Sequence, residues 1–129
     1  MAGGVLVVED DEDIRADLAA ILRVKGFAVD EAANGKEALT RLRQGARPCV
    51  IVLDLMMPVM NGWELRAEML GEHALAAIPV VVVSGKGRIA PDEEATLMPA
   101  AVLVKPFELT ELLALVGRYC PHAATPAPR

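Results

Sequence analysis

Unbroken apolar runs and helical patterns alternate five times along this chain. Val5-Leu6-Val7-Val8 is a short continuous run, the pattern of a strand buried on both faces. From about Glu12 to Lys25, Ile14, Leu18, Ile21 and Leu22 recur at helical spacing and define an amphipathic helix. Gly26 stands where a left-handed residue closes such a helix. Phe27–Ala32 reads as a second strand, and its polar later half suits a place near the sheet edge. Asn34-Gly35 breaks the chain. Glu37, Ala38, Leu39 and Leu42 then mark a second helix that ends near Gly45. Cys49–Leu53, entered through Pro48, is a third strand running directly into Asp54. Pro58 and Gly62 shape the loop before a third helix carried by Trp63, Leu65, Met69 and Leu70. Val80–Val83 is the most strand-like run and delivers Ser84. Pro91-Asp92-Glu93-Glu94 opens a fourth helix, because Pro suits the first turn and acids suit the N-terminus. Pro99 stops that helix early. Ala101–Val104 is a fifth strand, and Leu109, Leu112, Leu113 and Val116 line a last helix.

Strict strand–helix alternation predicts a parallel sheet with helices on both faces. Right-handed crossovers leave few topologies, and functional residues are expected at the C-terminal ends of the strands. The length, 129 residues, fits one domain able to bury roughly two-thirds of its unfolded surface. Only 3% of residues are aromatic against 53% hydrophobic overall, so the core must be aliphatic. The net charge of −5 shows no basic stripe of the kind that binds nucleic acid. Arg41, Arg43 and Arg47 read as the solvated face and end of the second helix. Cys49 and Cys120 make neither a disulfide framework nor a metal-type spacing, and fit a reduced, cytoplasmic chain. The N-terminus has no signal-peptide pattern, and no run is long enough to span a membrane. His73 and His122 have no ligand-spaced neighbours, and Trp63 is read as a packing residue.

The chemistry-bearing residues gather where the fold predicts. Strand one ends in Glu9-Asp10-Asp11, strand three in Asp54, strand four in Ser84 and strand five in Lys105. Carboxylates brought together repel one another unless a cation sits among them. Magnesium suits such a site, because it takes carboxylate oxygens, keeps waters and pairs with phosphate. A carboxylate beside it can attack a phosphoryl group and form an acyl phosphate. The metal and Lys105 would offset charge on the transferring oxygens. Asp11, Glu12 and Asp13 are accounted for as caps and first-turn acids of the first helix.

Val7-Val8-Glu9-Asp10-Asp11, Asp54 through Gly62, Ser84-Gly85 and Lys105-Pro106-Phe107 together resemble the receiver domain of two-component response regulators, from about Val5 to Tyr119. The resemblance implies an α/β, doubly wound five-stranded parallel sheet of order 2-1-3-4-5 with five helices, the fourth short or irregular. It implies a receiver domain over residues 1–120, while the Ala- and Pro-rich residues 121–129 read as a disordered tail or linker. By position, Asp54 matches the phosphoacceptor, Asp10 the direct magnesium ligand and Glu9 the acid that reaches the metal through water. Met56 matches the residue whose backbone carbonyl binds the metal, and Mn2+ is expected to substitute for Mg2+. Ser84 matches the switch hydroxyl. Lys105 matches the phosphate-binding lysine, with a cis bond to Pro106. The implied partners are a histidine kinase or phosphotransfer protein, and a downstream protein on the face made by the fourth helix, fifth strand and fifth helix. Direct nucleic-acid or membrane binding is not expected. Catalysis is limited to the domain's own modification, and the location is cytoplasmic.

Two departures from the family pattern stand out. Val102 occupies the place of the usual switching Tyr or Phe, and the fourth helix is clipped and expected to be mobile or displaced. The loop Gly85–Ala90 is expected to order on phosphorylation. Leu115 and Tyr119 lie off the inward stripe of the last helix and are candidate contacts for a partner. Ending soon after that helix, the chain reads as a stand-alone regulator or a piece of a larger protein. Two rival readings remain. One is an interaction module that keeps the fold but works without phosphorylation. The other is a phosphohydrolase, which would need an acid where Met56 stands.

Overall fold

The computed structural model describes residues 3–85 and 89–120. Its strands are β1 (Val5–Val8), β2 (Val29–Ala32), β3 (Val50–Asp54), β4 (Val80–Ser84) and β5 (Ala101–Val104). Its helices are α1 (Glu12–Val24), α2 (Gly35–Arg43), α3 (Gly62–Leu70), α4 (His73–Ala76), α5 (Pro91–Leu97) and α6 (Leu109–Tyr119). The strands pair in parallel in the order β2-β1-β3-β4-β5. Val8 lies opposite Ala32 and Leu53, Asp54 opposite Val83, and Ser84 opposite Val104. This register brings all the strand ends that carry chemistry to one edge of the sheet.

Successive residues of a strand face opposite sides, so each strand supplies two cores. Leu6, Val8, Ile51, Leu53, Val80 and Val82 pack under α2, α3, α4 and α5 through Leu39, Leu42, Leu65, Met69, Leu75 and Leu97. Val5, Val7, Val52, Val81 and Val83 pack under α1 and α6 through Leu22, Leu112 and Val116. Both cores are aliphatic, as the composition requires.

Local chemistry sets the helix ends. The Asp11 side chain accepts from the Ile14 N–H and caps α1, as expected of that acid. At the other end, Gly26 at φ +98° lets its N–H reach Arg23 O while the Phe27 N–H reaches Leu22 O. This Schellman motif holds Phe27 in the helix terminus, so β2 starts at Val29 rather than at Phe27. Arg47 donates to Leu42 O and Ala46 O, and Arg43 pairs with Glu68 and Glu72. The arginines therefore close α2 and link it to α3, in keeping with the reading of a solvated helix end.

Several expectations are corrected. Among the described residues a sixth helix, the single turn α4, lies between α3 and β4. Four residues are too few to show a period in the sequence. Ile14, assigned to the inward stripe, is 40% exposed, because α1 leaves its first turn beyond the edge of the core. Leu109 is exposed for the same reason at the start of α6. Leu115 and Tyr119, read as standing off the inward stripe, are half-buried against the α6-side core. The two cysteines, read as free thiols, are bonded to each other with Cα atoms 5.4 Å apart. The start of β3 and the end of α6 meet only in the folded chain, so sequence spacing cannot show it. Residues 86–88 of the Gly85–Ala90 loop and the tail 121–129, His122 included, lie outside the described residues. No helix is long and apolar enough to cross a membrane among the described residues.

Candidate functional site

The strand ends build an acidic cluster. Glu9, Asp10 and Asp54 each bring a carboxylate oxygen to within 4.8 Å of the others. Glu9 and Asp54 are only 4% and 6% exposed, while Asp10 faces solvent. Glu9 is fixed from several sides. Its N–H donates to Ala32 O at 3.1 Å, its carboxylate accepts the Asp11 N–H at 3.1 Å, and its carbonyl accepts from Arg15 at 2.9 Å. Arg15 in turn pairs with Glu31 on β2 at 3.3 Å. Sequence reading missed Arg15, whose only local signal is a cation one turn into α1.

Lys105 Nζ lies 3.7 Å from Glu9 Oε1. The Lys105 N–H donates to Ser84 O at 2.8 Å, so the ends of β4 and β5 are tied beside the cluster. Ser84 is buried there, and the Lys105–Pro106 bond is cis. The Met56 N–H points back to Asp54 Oδ1 at 3.4 Å, and the Met56 side chain is exposed. Burial is the main cause that pushes the Glu9 carboxyl up to about 7; the Asp11 N–H and Lys105 oppose the shift, and Asp54 adds to it. Such a set of hard oxygen donors, crowded and short of positive charge, fits a divalent cation.

The backbone after Asp54 turns tightly onto α3. Asn61 and Glu64 form a reciprocal capping box, each side chain accepting the other's N–H at 2.9 Å. A Cβ at Gly62 would stand 2.8 Å from both Asp54 O and Leu55 Cα, so only glycine lets the helix start this close to the acid. Val59 sits at φ 70° and is 74% exposed. A β-branched residue is strained in that region, and Val59 has little burial to lose. Replacing Val59 with Asn, which tolerates the left-handed region, is expected to stabilise the fold by about 1 kcal/mol. Thermal unfolding would show this as a rise of a few degrees; an unchanged or lower midpoint would mean the loop carries no strain.

Val102 lies on β5 opposite Val82, half-buried on the α5 side of the sheet, whereas Leu115 and Tyr119 lie on the α6 side. The three residues flank edge strand β5 but do not form one cluster. Sequence reading also missed Arg66. This arginine of α3 is 5% exposed and donates to Leu97 O at 2.7 Å and Met98 O at 3.0 Å. It thereby satisfies the terminal carbonyls of α5, with a cation at the negative end of that helix.

A five-stranded 2-1-3-4-5 sheet with an acidic cluster and a lysine over its strand ends defines a class, and comparison with known proteins names it. The sequence profile of the response regulator receiver domain matches residues 5–117, and the chain belongs to that family. It is a receiver domain of the two-component systems. The transcriptional regulatory protein PrrA of Mycobacterium leprae is 42% identical over 118 residues, which cover 87% of this chain and 47% of that protein. The chain thus spans about half the length of this relative. The chemotaxis protein CheY4 of Vibrio cholerae superposes with a TM-score of 0.79 at 32% identity, covering 92% of this chain and 98% of that one. The response regulator TrrA of Thermotoga maritima, crystallised in complex with Mg(2+)-BeF, gives a TM-score of 0.78 at 27% identity, covering 92% and 99%.

Proposed function

We propose that this domain accepts a phosphoryl group on Asp54 and signals through the resulting change in shape. The observation that carries this reading is the meeting of three carboxylates within 4.8 Å, with Lys105 alongside. A carboxylate oxygen of Asp54 attacks the phosphorus of a phosphohistidine, the P–N bond breaks, and the imidazole leaves with a proton. Glu9 and Asp10, with Asp54 and the Met56 carbonyl, would hold Mg2+ or Mn2+. That ion supplies charge neutralisation for the phosphoryl oxygens. Lys105 faces the same oxygens, and the Ser84 hydroxyl hydrogen-bonds the group once it is attached. The donor is a histidine kinase or phosphotransfer protein, and the setting is cytoplasmic. The downstream partner binds the face of α5, β5 and α6 around Val102, Leu115 and Tyr119. The domain modifies only itself. The net charge of −5, with no basic stripe, argues against direct DNA binding by this domain. Incubation with acetyl phosphate and magnesium, followed by intact mass, tests the reading: one base-labile adduct per chain supports it. Its absence would favour an interaction module that works without phosphorylation, the reading that Val102 and the seven-residue α5 suggest.

The raised carboxyl of Glu9 makes metal binding pH-dependent. Without metal, Glu9 carries a proton below about pH 7, where its folded value lies above the ordinary 4.5. Burying the charged form therefore costs stability as pH rises through that window, and a bound cation removes the cost. Binding displaces the proton, so affinity falls as pH drops below about 7 and levels off above it. Calorimetric titration with Mg2+ is expected to give about tenfold weaker binding at pH 6 than at pH 8. Equal affinities would mean that Glu9 is ionised throughout.

A further inference from the structure

Cys49 and Cys120 lie far from the acidic cluster, at the opposite end of the sheet. Cys49 immediately precedes β3, and Cys120 follows the last turn of α6. The bond between them spans a sequence separation of 71 and ties a central strand to the last described helix. Cα atoms 5.4 Å apart lie in the ordinary range for such a bond, so the backbone need not move to form it.

The same corner also suits the open form. Gly4 O lies 2.9 Å from Cys49 Sγ and 3.8 Å from Cys120 Sγ. That carbonyl also takes the Cys49 N–H at 2.8 Å and has one lone pair left, enough for the Cys49 thiol once the bond is broken. The two cores, one on each face of the sheet, are built mainly of aliphatic side chains, with Cys120 in one of them and Cys49 packed against it. A domain of this size needs no staple to fold. Cys49 is half-buried and Cys120 is buried, so a small reagent reaches Cys49 first.

We propose that Cys49 and Cys120 form a reversible thiol–disulfide site that fastens or releases the end of α6 according to the surrounding redox state. The oxidant is a small-molecule disulfide. The Cys49 thiolate attacks one of its sulfurs, forming a mixed disulfide and releasing one small thiolate. The Cys120 thiolate then attacks Cys49 Sγ, closing the protein disulfide and releasing the second. Two electrons pass from the protein thiols to the small disulfide, and the two thiol protons end on its halves. Reversal by excess small thiol reopens the site. That the open form is the resting one follows from the cytoplasmic setting proposed above, where thiols stay reduced; the chemistry itself does not depend on Asp54.

The whole chain is equilibrated with defined ratios of reduced to oxidised glutathione, quenched with an alkylating reagent and weighed. The proposal expects no alkylated cysteine at the oxidised end and two at the reduced end, with the change falling at ratios between roughly 1 and 1,000. A bond closed at every ratio is a permanent staple and overturns the proposal. Two free thiols at every ratio overturn it as well. Amide exchange over residues 116–120 and the thermal midpoint, read on the same samples, test the mechanical half. Exchange should slow several-fold and the midpoint rise by roughly 5–15 °C when the bond is closed. Identical exchange in both states would show that α6 is not fastened by the bond. Cys49→Ala should exchange like the reduced protein at every ratio. Asp54→Asn should leave the redox midpoint unchanged, which separates this site from phosphorylation.

Discussion

Asp54→Asn is expected to abolish the adduct of about 80 Da that acetyl phosphate and magnesium leave on the wild-type chain. An amide has no anionic oxygen with which to attack phosphorus, and the two acids beside it are held differently. Asp10 faces solvent, and Glu9 is held by the Asp11 N–H and lies near Lys105. The variant should nevertheless fold, because Asp54 crowds Glu9 and removing one charge relieves that repulsion. Its thermal midpoint without metal should equal or exceed that of the wild type. Full loss of the adduct in a well-folded variant would assign the modification to Asp54. An adduct of undiminished yield would place the phosphoryl group on another residue and end the proposal in its present form.

Lys105→Met is expected to slow adduct formation roughly a hundredfold, the usual cost of removing one charge-stabilising donor from a reacting group. Methionine keeps much of the length and apolar stem of lysine but carries no charge. Lys105 Nζ also lies 3.7 Å from the Glu9 carboxylate, so its loss should move the Glu9 carboxyl further up. Metal affinity should change in the same variant, because the lysine's charge bears both on the Glu9 carboxyl and on the bound cation. Lys105→Arg restores charge with a bulkier, forked head and should recover only part of the rate. Initial rates from intact mass, taken at saturating magnesium, separate the two effects. A Lys105→Met rate within threefold of wild type would show that the lysine does not reach the transferring group.

The sequence made the sheet and the edge that carries the candidate site readable for a physical reason. A parallel strand covered on both faces must be apolar along its whole length, so Val5–Val8, Val50–Leu53 and Val80–Val83 stand out as runs. A polar residue directly after such a run must lie at the strand end, which located Glu9, Asp54, Ser84 and Lys105 together. What stayed hidden depends on contacts between distant parts of the chain. Arg66 reads as one more polar residue in α3, and only the folded chain brings the carbonyls of Leu97 and Met98 to it. Cys49 and Cys120 meet for the same reason. The exposure of Ile14 and the half-burial of Leu115 and Tyr119 depend on where α1 and α6 sit over the sheet. Helical spacing says which residues share a face, but not where that face overhangs its neighbour.

Arg66 also limits how α5 could move. Leu97 is buried at one end of this helix, with the guanidinium on its last carbonyls, while Pro91 through Thr96 are exposed. A rod pinned at one end pivots; it does not slide. With seven residues α5 is about 10 Å long, so a turn about the pinned end would become an arc at the other end. A partner gripping that tip would sense an angle, while one gripping the pinned end would sense almost nothing.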